Sequence, residues 1–173
     1  VLETNRLIIR RIKKSDLDAF SELVALPEVM EFSLNGPMSK EDSGHYLQTR
    51  LLDHYKKYDY GLWALIEKKS DTLIGIAGLI HQEIEGDDFV ELGYRLHPSY
   101  WRRGLATEAC HAIMSHASNQ YYLKELISII EDQNTPSRKL SEKLGFSLWK
   151  KTAFHGFDVL IYKYELSKYK EIL

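Results

Sequence analysis

The sequence is short of the residues that lock a fold covalently or through metal. Cys110 is the only cysteine among 173 residues, so no internal disulfide is available; this suits a reducing compartment and makes the cytoplasm the expected location. The seven histidines never fall at metal-ligand spacing, since His111 and His116 are five apart and on different helix faces, so no metal is expected. No apolar run approaches the roughly 20 residues that span a bilayer, and no signal-peptide pattern is read, so no membrane partner is expected. Charge of one sign is missing too. With 23 basic and 25 acidic residues, the formal charge is -2, and the mixed signs leave no broad cationic face for nucleic acid. The chain contains no G-K-[ST] after a glycine turn and no G-x-G-x-x-G, which excludes a P-loop and a dinucleotide fingerprint.

What is present is ample for a core: 44% of residues are hydrophobic and 12% aromatic. The length fits one domain, residues 1–173, without repeat or linker. Patterning predicts strands at "RLIIRRI", "LWALIEK", "TLIGIAGLIHQEI", "FVELGYRL", "KELISIIE", "FSLWKK" and "FDVLIYKYEL". Helices are predicted after Ser15 or Asp16, at Pro27, and from Ser39 along the stripe Tyr46, Leu47, Leu51, Leu52, Tyr55. Two more run from Gly104 to about Asn119 and over "TPSRKLSEKLGF", where Thr135 is the expected cap and Gly145 the stop. Leaving out the short helix at Pro27, the order β-α-α-β-β-β-α-β-α-β-β gives an α/β (α+β) mixed sheet of about seven strands with helices on both faces.

The informative stretch is "YRLHPSYWRRGLATEA", from Tyr94 to Ala109. A strand leads through a tight glycine turn into a helix, where unpaired amides and the positive end of the helix dipole make an anion site. Gly104 lets the backbone approach an anion closely. Arg102 and Arg103 add donors suited to phosphate oxygens. Diphosphate is the natural ligand.

"YWRRGLATEA" resembles the acyl-CoA pyrophosphate loop of the GNAT superfamily of N-acetyltransferases, loosely Gln/Arg-x-x-Gly-x-Gly/Ala. Gly104 and Ala106 match, while Trp101 stands where Gln or Arg is usual, as in the RimJ/RimL branch of ribosomal-protein N-terminal acetyltransferases. "LETNRLIIRRIKKSDLDAF" and "NTPSRKLSEKLGF" resemble that branch's opening and final helix, in the right order. The resemblance implies the GNAT fold and acetyl-CoA as cosubstrate. It also implies main-chain contacts from Leu96 and His97 to pantetheine, diphosphate contacts from the amides of Arg103, Gly104, Leu105, Ala106 and Thr107, and a cofactor contact from Asn134. Gly93 suits a bulge or close backbone approach beside a splayed strand.

Acetyl transfer to an amine needs a neutral nucleophile, a stabilised oxyanion and a protonated leaving thiolate. Glu91 is the candidate base, lying on the strand face opposite Val90, Leu92, Tyr94 and Leu96; the competing reading is a Glu–Arg pair on a solvated face. Asn134, Ser137 and Ser141 form a polar stripe, which otherwise reads as a turn residue and two solvated serines. Family members often carry a Tyr at the position of Ser141 as the thiolate's acid; here Ser141 is the candidate in its place. Cys110 reads as a core residue. Glu83, Glu85, Asp87 and Asp88 are either an attraction for a cationic acceptor or a solvated hairpin, and Met30, Phe32 and Leu34 either wall the acceptor site or pack.

The expected activity is transfer of acetyl from acetyl-CoA to a primary amine by direct attack in a ternary complex, by a monomer or homodimer. The favoured acceptor is a protein N-terminal α-amino group; the alternative is a small amine, namely a polyamine, aminoglycoside or amino acid. A non-catalytic acyl-CoA-binding regulator and, remotely, a nucleotide-binding module are the competing classes.

Overall fold

The structure is a computed structural model and describes residues 1–168. It forms an eight-stranded mixed sheet. The strands are β1 (Leu2–Glu3), β2 (Leu7–Arg11), β3 (Leu62–Glu67), β4 (Thr72–Ile84), β5 (Asp87–Leu96), β6 (Glu125–Glu131), β7 (Ser147–Phe154) and β8 (Phe157–Glu165), in the spatial order β1-β2-β3-β4-β5-β6-β8-β7. The eighth strand beyond the expected seven is β1, a two-residue edge too short for any periodic signal. The helices are α1 (Leu17–Val24), α2 (Pro27–Met30), α3 (Lys40–Tyr46), α4 (Asp53–Tyr58), α5 (Leu105–Asn119) and α6 (Thr135–Lys143).

All six residues of β3 are buried, the mark of a strand covered on both faces. One face meets α5, where Trp63 touches the His116 ring edge-on at 5.8 Å. On the other, Tyr55 of α4 accepts from the Ile12 amide and donates to the Leu62 carbonyl, tying a helix to the ends of two strands. The stripe predicted as one helix from Ser39 is instead α3, a π-helical segment Leu47–Leu52, and α4. The wider π turn keeps Leu47, Leu51 and Tyr55 in the core. Ser39 caps α3 as expected, accepting from the Asp42 amide.

Three other expectations shift. The turn at "EGDD" is confined to Glu85 and Gly86, both at positive φ, and Asp87 and Asp88 already belong to β5. The β4–β5 register runs without a bulge through Gly93; a Cβ there would come 2.9 Å from Ile80 Cδ1, so this glycine makes room for a side chain. Asn134, not Thr135, caps α6: its Oδ1 accepts from the Ser137 amide at 3.3 Å. Met30 and Met38 pack in the core, while Leu34 is exposed.

The close backbone approach occurs one strand over, in β4. A Cβ on Gly78 would lie 2.0 Å from the Gly61 carbonyl oxygen, a backbone atom that cannot swing aside. Gly78→Ala should therefore cost about 3 kcal/mol or more. Gly44→Ala in α3, where the nearest atom would be 3.8 Å away, should gain about 0.5–1 kcal/mol from helix propensity. Urea unfolding midpoints of the two variants check the contrast.

Candidate functional site

The site begins where the sheet comes apart. Nine of the ten β4–β5 pairs lie beyond any partner on β5's other edge, because β5 and β6 share a single parallel register pair, Glu91 with Ile127. From there to Leu96, β5 is paired on the β4 side only. Alternation along an antiparallel ladder decides which residues look into the gap. The His97 amide donates to the Ile74 carbonyl at 2.8 Å, so Gly75–Leu96 is a non-hydrogen-bonded pair. Leu96, Tyr94 and Leu92 accordingly turn their backbone polar groups away from β4.

Side chains meet part of that exposed backbone. The Ser128 hydroxyl reaches the Leu92 carbonyl at 3.4 Å, and the Trp101 indole N–H donates to the Leu96 carbonyl at 2.7 Å. Of the two residues expected to pair with pantetheine, Leu96 faces the gap; the His97 amide is already taken by β4. Tyr94, whose main chain also faces the gap, was read from sequence only as an apolar position.

Glu91 and Tyr94 leave β5 on opposite faces. Glu91 is half-buried, and its carboxylate accepts from the Gln82 side-chain amide at 2.7 Å. Burial pushes its carboxyl above the ordinary range, opposed by the Gln82 amide, the Arg95 charge and the Ile129 N–H. Arg95 thus acts at a distance, whereas Gln82 and the Ile129 N–H act directly. Tyr94 sits between α5 and α6, near Cys110 and Ser137. Burial raises its phenol far above the usual value, and the Ser137 hydroxyl opposes this. The contact falls outside good hydrogen-bond geometry, leaving the Tyr94 hydroxyl as a buried side-chain polar atom without a partner among the described residues. Ser141 is buried in α6 at 2% exposure, contrary to a solvated serine.

The turn before α5 carries two left-handed residues, Arg102 at φ 58° and Gly104 at φ 75°. Gly104 occupies the N-cap position of α5, so the amides of Leu105, Ala106 and Thr107 form the first helical turn and lack intrahelical acceptors. The two arginines differ. Arg102 is exposed. Arg103 pairs with the buried Glu67 at 3.0 Å and lies over the Tyr100 ring, which directs its side chain to β3.

These features fit a CoA-like ligand: a strand edge with free main-chain groups, an unpartnered buried hydroxyl beside it, and a helix N-terminus with a glycine at its mouth. Among the described residues no cluster of three or more His, Cys, Asp or Glu side chains is arranged to hold a metal, and no described helix is long and apolar enough to cross a membrane. Tyr94→Phe removes a hydroxyl that has no well-formed partner, so stability should stay level or rise by up to about 1 kcal/mol. CoA affinity should fall if that hydroxyl serves the ligand. Thermal melts with and without CoA read both effects.

Comparison with known proteins bears on the family and the fold. The chain is 26% identical over 144 residues to YnaD, an uncharacterised N-acetyltransferase of Bacillus subtilis, covering 83% of this chain and 81% of YnaD. An acetyltransferase of the GNAT family from Bacillus anthracis superposes with a TM-score of 0.81 at 22% identity, over 96% of this chain and 99% of that one. RimL, a ribosomal L7/L12 α-N-protein acetyltransferase solved in complex with coenzyme A, superposes with a TM-score of 0.75 at 18% identity, over 94% and 95% of the two chains. At such identities the structural likeness is one of fold. Residues 6–147 match the acetyltransferase (GNAT) domain model, and the chain belongs to the GNAT acetyltransferase family.

Proposed function

We propose that this GNAT acetyltransferase moves acetyl from acetyl-CoA to a protein N-terminal α-amino group, in the manner of the RimJ/RimL branch. Members of the family use acetyl-CoA. The observation that carries this reading is the state of Glu91. A half-buried carboxyl that burial raises, and that the Gln82 amide and the Ile129 N–H hold back, is a modest base. It suits an α-amino group, ordinarily near pKa ~8, better than a lysine or polyamine amine near ~10.4. The acidic hairpin offers a cationic small amine less than its sequence suggested, since Glu85 is engaged by Lys150 and Thr152 and Asp88 by His81.

In this reading the acetyl donor supplies an activated thioester, and the chain's residues do the rest. The amides of Gly104 to Thr107 and the Arg102 side chain hold the diphosphate, Leu96 and Tyr94 present backbone to pantetheine, and Asn134 closes α6 over it. Glu91 takes the amine proton directly or through water. Ser141 hydrogen-bonds the departing sulfur. Burial pushes the Cys110 thiol up to about 12, so at neutral pH this residue offers no thiolate to carry the acetyl group, which favours direct transfer.

Thiol release from acetyl-CoA, measured with peptides bearing free or blocked N-termini and with small amines, tests the acceptor. Turnover restricted to free N-termini is expected; binding of CoA without turnover on any amine would instead favour a non-catalytic regulator. Gly104→Asp adds a side chain and a negative charge at the anion turn and should abolish CoA binding. Glu91→Gln should lower turnover at least tenfold with CoA affinity unchanged. The deficit should be largest at low pH, where the amine is mostly protonated, and shrink as rising pH neutralises the amine without help. A wild-type pH–rate profile in this variant would remove Glu91 from the base role.

A further inference from the structure

We propose that Arg6 is a positioning residue for the diphosphate turn, acting through the single peptide bond between Arg103 and Gly104. This rests on the reading of that turn as a CoA site. Arg6 stands between β1 and β2, 97 residues from Arg103 in sequence, yet its Nη1 donates to the Arg103 carbonyl at 2.8 Å. Its Nε donates to Glu108 Oε2 at 2.7 Å. Its own amide and the Thr4 hydroxyl donate to Glu108 Oε1 at 2.8 and 2.6 Å. The Glu108 carboxylate, in the first turn of α5, is thereby clamped to the sheet edge. Burial alone would raise its carboxyl; the Thr4 and Arg6 donors outweigh burial and hold it below the ordinary range.

A trans peptide is planar, with its carbonyl and N–H on opposite sides. Holding the Arg103 carbonyl toward Arg6 therefore fixes the Gly104 N–H in the opposite direction, away from Arg6. That fixation matters because Gly104 is free to flip: glycine visits either sign of φ at little cost, and a flipped peptide would present a carbonyl to the anion. The neighbouring Arg102, a non-glycine residue at positive φ, carries strain of its own and gives the turn a further reason to relax. Stability is a weak explanation for the clamp. The Arg6 side chain is 42% exposed, and ion pairs of that kind contribute little. The Glu108 charge also offsets that of Arg6, so the guanidinium serves direction more than attraction.

Binding of CoA and of pantetheine, which lacks the diphosphate, separates this role from a general loss of structure and needs no knowledge of the acceptor. Arg6→Leu should reduce the preference for CoA over pantetheine about tenfold, the effect of losing one well-aimed donor. Arg6→Lys keeps a charge near Glu108 but cannot reach both partners, so it should lose preference in the same direction; it also carries the test if the leucine variant does not fold. An unchanged preference, or equal weakening of both ligands, would overturn the role of Arg6. Failure of the unaltered chain to bind CoA would overturn the diphosphate reading itself.

Discussion

β5 and β6 touch through one backbone bridge, Glu91 to Ile127, while each is fully laddered on its other side, to β4 and to β8. Two twisted half-sheets joined at one point diverge beyond it, and the divergence leaves N–H and C=O groups that need partners. Side chains supply some of them. Ser128 serves Leu92, Trp101 serves Leu96, and the Glu91 carboxyl is stabilised by the Ile129 N–H. The gap stays open without an unpaired edge along its whole length, and the candidate base stands at its closed end.

Where the open strand ends, the proposed recognition is by backbone. The usual side chain at the head of the loop pattern is Gln or Arg, and here Trp101 instead fastens the end of β5. Arg103 is drawn to Glu67. Arg102, which is also exposed, stands beside the amides and the dipole of α5. Arg6 and Glu108 then brace the turn from the far side of the sheet edge. Strand gap and braced turn together form the site proposed for a long, narrow ligand with an anionic middle.

Local patterns in the sequence revealed much of this. The alternation in "VELGYRL" assigned the faces of β5 correctly, and the glycine turn predicted the start of α5, whose expected end near Asn119 is also met. What escaped depends on partners distant in sequence. The Arg6–Glu108 and Glu67–Arg103 pairs span 102 and 36 residues, and no local rule links them. Asn134 was singled out for the ligand, yet as cap of α6 it outcompeted Thr135, because an Asn side chain reaches the Ser137 amide from one residue earlier. Tyr94 looked like a hydrophobic strand residue, since nothing in its neighbours betrays that its hydroxyl ends buried between two helices. The π segment at Leu47–Leu52 was equally silent, because its apolar stripe fits an ordinary helix.

The central claim is that strand gap and turn bind one ligand through main-chain groups. Residue-resolved amide hydrogen exchange with and without CoA tests it most directly. The account predicts new protection at Leu96 and at Gly104, Leu105 and Ala106, with no change at His97, whose amide β4 already holds. Protection confined to other elements, or an unchanged turn in the presence of bound CoA, would contradict it.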